Sequence, residues 1–141
     1  MKTAIIATIA AAAALGLATG ASAHHSAVQF DFGKQAQYKG VVKTFEAINP
    51  HMRMTLMVSG AKGPHEVEFE GHSTNNMYRN GYRKGMVSVG DTVTVNVAPM
   101  KNGTDGGFVV SAVTKDGKFF GAKSTRALDA AAAQKAAEGK Q

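Results

Sequence analysis

Met52-Arg53-Met54-Thr55-Leu56-Met57-Val58-Ser59, followed after Gly60-Ala61-Lys62-Gly63-Pro64 by His65-Glu66-Val67-Glu68-Phe69-Glu70, is the stretch on which the reading of the fold turns. In its first run Met52, Met54, Leu56 and Val58 alternate with Arg53, Thr55, Met57 and Ser59, the period of a strand with one buried face. In its second run Val67 and Phe69 point inward while Glu66, Glu68 and Glu70 point the other way. The glycine-bearing turn joins the two runs as a hairpin. Met52 and Met54 share a face with Leu56 and Val58, so they read as core fillers rather than as soft metal ligands. Met57 lies on the opposite face and stays open.

Upstream, Tyr38 to Ile48 mixes Val41, Val42 and Phe45 with Lys39, Lys43 and Glu46, which suits a long bent strand with Gly40 as a bulge or kink. Asn49-Pro50 then breaks it. Downstream, Ser73 caps a short helix through Asn75, Met77, Tyr78 and Arg79, with Gly81 as its left-handed stop. Val93, Val95 and Val97 alternate with Thr94 and Asn96 in a fourth strand, and Phe108 to Thr114 make a fifth. Asp116-Gly117 turns the chain into Lys118-Phe119-Phe120. Three strands, a helix and two strands is the order of an OB-fold, so the expectation is a mainly β, small OB-fold-like five-stranded barrel with one short helix between strands 3 and 4. A sandwich of similar strands is the alternative, because element order alone does not close a barrel.

The ends read differently. Residues 1–23 carry Lys2, an apolar run of roughly 15 residues from Ala4 to Ala18 and the A-x-A pattern of Ala21 and Ala23, a signal peptide cleaved after Ala23. The apolar run is shorter than the ~20 residues that span a bilayer. Cleavage makes His24 the first residue of a periplasmic protein with no membrane segment left. An amino-terminal arm, 24–35, precedes the barrel domain, 36–122. The alanine-rich tail, 123–141, has helical propensity but few large apolar groups, the pattern of a frayed helix or of disorder. The foldable part is roughly 100 residues, room for one core.

Composition narrows the chemistry. The chain has no cysteine, which excludes disulfides, thiolate metal sites and cysteine nucleophiles. Sixteen Lys and Arg against 10 Asp and Glu give a formal charge of +6, but the cations are dispersed, with Arg79, Arg83 and Lys84 the densest group, so nucleic acid is not an expected partner. No G-x-S-x-G elbow, phosphate loop or dinucleotide fingerprint occurs, so catalysis has no positive sequence evidence.

The five histidines, His24, His25, His51, His65 and His72, lie in the first half of the chain, and no pair has the i, i+4 spacing of a helical zinc site. An amino-terminal histidine offers its α-amine and Nδ1 to one metal in a single chelate ring. A third nitrogen completes a copper-favouring site. His51, held by Pro50 before a strong strand, is the candidate third ligand. His25 competes, through a chelate of its imidazole, the terminal amine and the intervening amide. Glu70, beside His72 and the helix start, is placed to orient an imidazole. The bland alternatives are an exposed His-His that binds metal adventitiously, a turn-capping His51, a solvated His65 and a solvated Glu66, Glu68 and Glu70 face.

Ala23-His24-His25-Ser26 with Phe30-Asp31, Asn49-Pro50-His51, Glu70-Gly71, Asn75, Gly81 and Gly90-Asp91 resemble a bacterial family of exported proteins, that of domain of unknown function 6152. The likeness spans roughly His24 to Phe120. It implies a small periplasmic, mainly β domain and motif positions at His24, His25, His51, Glu70 and Asn75. At His72 the family is more often small, and at Met52 and Met54 more often aromatic or aliphatic. The functional expectation is a periplasmic copper-binding module with His24, His51 and His25 as metal ligands and Glu70, Asn75 and His72 beside them. The alternative is an envelope OB domain that binds a small ligand or protein partner without metal, near Glu70, Asn75 and Arg79. A copper-dependent oxidase using the terminal histidine is a third reading, with no substrate groove evident in the sequence.

Overall fold

The computed structural model describes residues 25–123, with side chains from 27 onward. The expected signal peptide, residues 1–23, His24 and the tail beyond 123 lie outside the described residues. In chain order the elements are α1 (His25–Val28), β1 (Ala36–Glu46), β2 (Arg53–Gly60), β3 (Gly63–Gly71), α2 (Thr74–Arg79), β4 (Thr92–Pro99), β5 (Gly107–Thr114) and β6 (Phe119–Gly121).

The hairpin forms where the alternation puts it. β2 and β3 pair antiparallel with Met54 opposite Phe69 and Leu56 opposite Val67, so the apolar members of both strands share one face. Those four side chains are at most 3% exposed. Burial of each contributes about 1.5–3 kcal/mol.

β1 is long because it serves two neighbours. Its first half pairs with β4, from Ala36 opposite Val97 to Val41 opposite Thr92, and its second half with β2, from Gly40 opposite Val58 to Glu46 opposite Arg53. The bulge lies between Val42 and Thr44, not at Gly40. Gly40 answers a different need: a Cβ there would stand 2.5 Å from the Met57 carbonyl oxygen, so a side chain would push β1 off β2.

The sheet order β3-β2-β1-β4-β5-β6 is closed by a parallel pairing of β3 with β5, through Phe69–Gly107, Glu70–Phe108 and Gly71–Val109. This is a five-stranded OB-type barrel, with β6 added outside the ring of five. Val42, Leu56, Val93, Val95, Val97 and Ala112 fill it with no exposed surface. Helix α2 closes one end with Met77, which packs with Tyr82 and Phe120 into the same core. Ser73 Oγ accepts the Asn76 N–H at 3.3 Å as the N-cap, and Gly81 adopts φ +99° just past the last turn.

The fourth strand is buried on both faces, although its apolar and polar residues alternate. Thr94 and Asn96 are 5% and 4% exposed, as deeply placed as the valines between them. Asn96 is satisfied within the protein, accepting from Gln37 Nε2 at 3.1 Å and donating to Ser111 Oγ at 3.2 Å. Its two partners come from the strands that flank β4, so the polar side of the sheet here is closed by its own neighbours.

The described part of the arm opens with one helical turn, α1. It is then strapped to the end of β4. Phe30 bridges Met100, Asp31 N–H donates to the Pro99 carbonyl at 2.8 Å, and Lys101 N–H donates to the Gln29 carbonyl at 2.9 Å. Phe30, Ala98 and Phe108 form a second apolar cluster, separate from the barrel core.

Candidate functional site

The site is built where β2 begins and β3 ends. Asn49-Pro50, joined by a cis peptide bond, leads into His51, and the Asn49 side-chain oxygen accepts the Thr74 N–H at 3.1 Å, tying this turn to the start of α2. Past the last ladder pair, Arg53 with Glu70, the two chains go on exchanging bonds: Gly71 N–H donates to the Met52 carbonyl at 3.0 Å, and Met52 N–H to the His72 carbonyl at 3.1 Å. Met52 is buried, and a Cβ on Gly71 would meet the Met52 side chain at 2.9 Å, so Gly71 faces the interior too. His51 lies on the wall of an open cleft, and His72, just past the end of β3, is exposed.

Both reach the same ring. Phe108 lies edge-on to His72, with centroids 4.8 Å apart, and to His51 at 6.3 Å. Phe30 and Phe32 of the arm pack on the same phenyl ring at 5.6 and 5.4 Å. One side chain of β5 therefore joins both histidines to the segment that follows His24 and His25. The parallel seam places it there, because Phe108 is the register partner of Glu70.

The tautomer of His51 follows from its partner. Nδ1 lies 3.1 Å from the Gly71 carbonyl oxygen, which only accepts, so Nδ1 carries the proton and Nε2 is left with its lone pair. Glu70 Oε1 is 3.7 Å from the same Nδ1, too long for a hydrogen bond but on the side of the ring that carries this N–H. Sequence reasoning put Glu70 beside His72; the structure sets it against His51. The His72 imidazole is held below its ordinary pKa, first by partial burial against its neighbours and then by the proximity of His51, so it is neutral at neutral pH.

The remaining candidates sit apart. Asn75 is exposed on α2. His65, expected to be merely solvated, is exposed yet paired: Nε2 lies 2.9 Å from Asp105 Oδ2 and Nδ1 3.3 Å from the Gly63 carbonyl. The Asp105 hydrogen bond, reinforced by that carbonyl, raises its pKa. His25 opens α1, while His24 lies outside the described residues. Met52 and Met54 are core side chains, each 1% exposed, as the strand period requires. Among the described residues, no three His, Asp or Glu side chains converge on one metal position.

An open cleft of about 880 Å³ adjoins His51. Its walls include His51, Arg53, Glu46, Glu68, Glu70 and Asp105, so acidic groups outnumber basic ones. Phe108, the Gly71 carbonyl and Asp105 were not singled out by sequence reasoning. The signal for Phe108 was present, because the parallel pairing of an OB barrel brings the start of strand 5 beside the end of strand 3.

A family model, described as a family of unknown function, DUF6152, matches residues 12–110. The chain belongs to this family. The matched span includes the A-H-H-S and N-P-H motifs, Glu70 and Phe108. No curated protein matches the chain. Two solved structures are similar at 18% identity over 57% of this chain: the ZRD-deleted mutant of TiaS in complex with agmatine, with a TM-score of 0.40, and a complex of TiaS with tRNA and ATP, with a TM-score of 0.42. The chain spans 21% and 18% of the length of those two chains, and neither likeness bears on its activity.

Proposed function

We propose that this protein is a periplasmic copper-handling module in which the amine and imidazole of His24 and the Nε2 of His51 hold Cu(II), with His25 and Glu70 adjacent. The observation that carries the reading is Phe108, whose ring touches His51 on one side and Phe30 and Phe32 of the arm on the other. The aromatic anchor limits how far the start of the mature chain strays from His51, because His24 is six residues from Phe30 at no more than ~3.5 Å each. The donor set fits the metal. Imidazole nitrogens suit copper, and a ligating histidine commonly donates its other N–H to a carbonyl or carboxylate, as His51 does to Gly71 with Glu70 alongside. With fewer than three side-chain ligands gathered among the described residues, the reading requires the terminus to complete the site.

The test is Cu(II) titration of the mature protein, its amino terminus confirmed by mass spectrometry, read by electron paramagnetic resonance. One tight equivalent with nitrogen hyperfine structure is expected, weakened sharply by one extra residue before His24 and by His51→Ala. Affinity unchanged in the extended variant would sink the terminal site. Loss on His25→Ala but not on His51→Ala would mean a local peptide chelate.

The open cleft favours a second reading, an envelope OB domain that captures a small ligand or a protein. Partner capture retained by a His24, His25 and His51 triple alanine variant would favour it over copper.

A further inference from the structure

We propose that His72 is itself a metal ligand, so that His51 and His72 form a bis-imidazole platform on the outer face of the barrel for a copper-like divalent cation. This rests on the copper reading above and extends it to a residue outside the chelate formed by the terminus and His51.

Two independent features bring the two residues near each other. The backbone does so first: Gly71 N–H to Met52 O and Met52 N–H to His72 O keep the two chains bonded one step past the ladder, beside these histidines. Phe108 does so next, contacting both imidazoles edge-on, at interplanar angles of 79° and 87°. A ring packed in this way has few rotamers left, so little freedom is lost when a metal binds.

The donors are available. His51 commits Nδ1–H to Gly71 and keeps Nε2 free. Neither ring nitrogen of His72 has a hydrogen-bond partner among the described residues. Two imidazoles held against the same phenyl ring make a site with two ligands from the barrel. Imidazole nitrogen is the ligand type that copper shares with zinc and nickel, and the affinity order among these favours copper.

The experiment uses the mature protein and three variants, His51→Ala, His72→Ala and the near-isosteric His72→Gln, each checked for native fold by amide NMR. Cu(II) is titrated, and nitrogen superhyperfine couplings are counted. A parallel Zn(II) titration follows the imidazole ¹⁵N shifts. The expected result is one equivalent in the parent, an affinity lower by at least about tenfold in both His72 variants, one coupled nitrogen fewer and zinc-induced shifts at both His51 and His72. A merely structural role for His72 would lower stability but leave the nitrogen count unchanged. Unaltered affinity and couplings in His72→Gln, with binding still lost in His51→Ala, would overturn this proposal and leave the copper reading standing. No copper binding by the parent would overturn both.

Discussion

At the scale of single residues, the histidines divide by what faces their nitrogens. His51 has one acceptor, so one nitrogen stays free for chemistry; His65 has two, the Gly63 carbonyl and the Asp105 carboxylate, which is the surrounding of an imidazolium. Its raised pKa fixes a sign for stability. The unfolded histidine titrates near 6.5, so the folded state binds the extra proton more tightly, and the contribution is fully present below about pH 6.5. It is lost as pH rises through the folded value. Asp105→Asn removes the partner, so the melting temperatures of parent and variant should differ most at about pH 5 and converge at about pH 9. A gap that widens with rising pH would contradict the assignment. Gly40 carries a second expectation at this scale. A methyl group there meets backbone, the Met57 carbonyl oxygen at 2.5 Å, and backbone does not yield as a side-chain tip does. Gly40→Ala should therefore cost about 2 kcal/mol in urea unfolding, without changing the metal titration.

At the scale of elements, the arm and the two histidines are coupled through Phe108 of β5, which Phe30, Phe32, His51 and His72 all touch. Phe108 is 6% exposed yet belongs to the outer cluster with Phe30 and Ala98, not to the barrel core. Removing its ring should thus spare the barrel and release the arm. Phe108→Ala is expected to cost about 3 kcal/mol or somewhat less, because the cavity opens toward solvent, and to speed hydrogen exchange at the Asp31 and Lys101 amides. Exchange that stays slow at those amides would show the backbone strap alone holds the arm. Much at this scale was legible beforehand. The period-two runs of β2 and β3 named Met54, Leu56, Val67 and Phe69 as core, and Ser73 and Gly81 marked both ends of α2, because these are local signals. The turn of helix at His25–Val28, the bulge beside Lys43 and the buried state of Thr94 and Asn96 were not legible. Each depends on what a neighbouring strand or loop places against it, and local pattern holds no record of that.

At the scale of the whole molecule, the site exists because the barrel closes. The order of elements predicted an OB barrel, but Glu70 and Phe108 lie far apart in sequence and meet only across the three-residue parallel seam of β3 and β5. The histidines were therefore readable one by one, whereas the ring they both touch is found only by following the barrel's closure through to the start of strand 5. The same seam is the barrel's narrowest join, and glycine makes it. Gly106, at φ +113°, leaves a Cβ no room, 2.6 Å from the Glu68 carbonyl oxygen, and Gly107 packs as tightly against Ala98. Gly106→Ala combines an unfavourable backbone conformation with a clash against backbone, and should cost about 2–4 kcal/mol. The way in which that cost appears separates two pictures of the site. If closure positions Phe108 beside Glu70, a Gly106→Ala protein that is still folded should bind Cu(II) more weakly and lose the ring-current shifts of His51 and His72 together. If the β2–β3 hairpin carries the histidine pair unaided, stability should fall while both the shifts and the affinity persist. Gly106, one residue before the seam and without a side chain, would in the first case act on the metal solely through the shape it imposes.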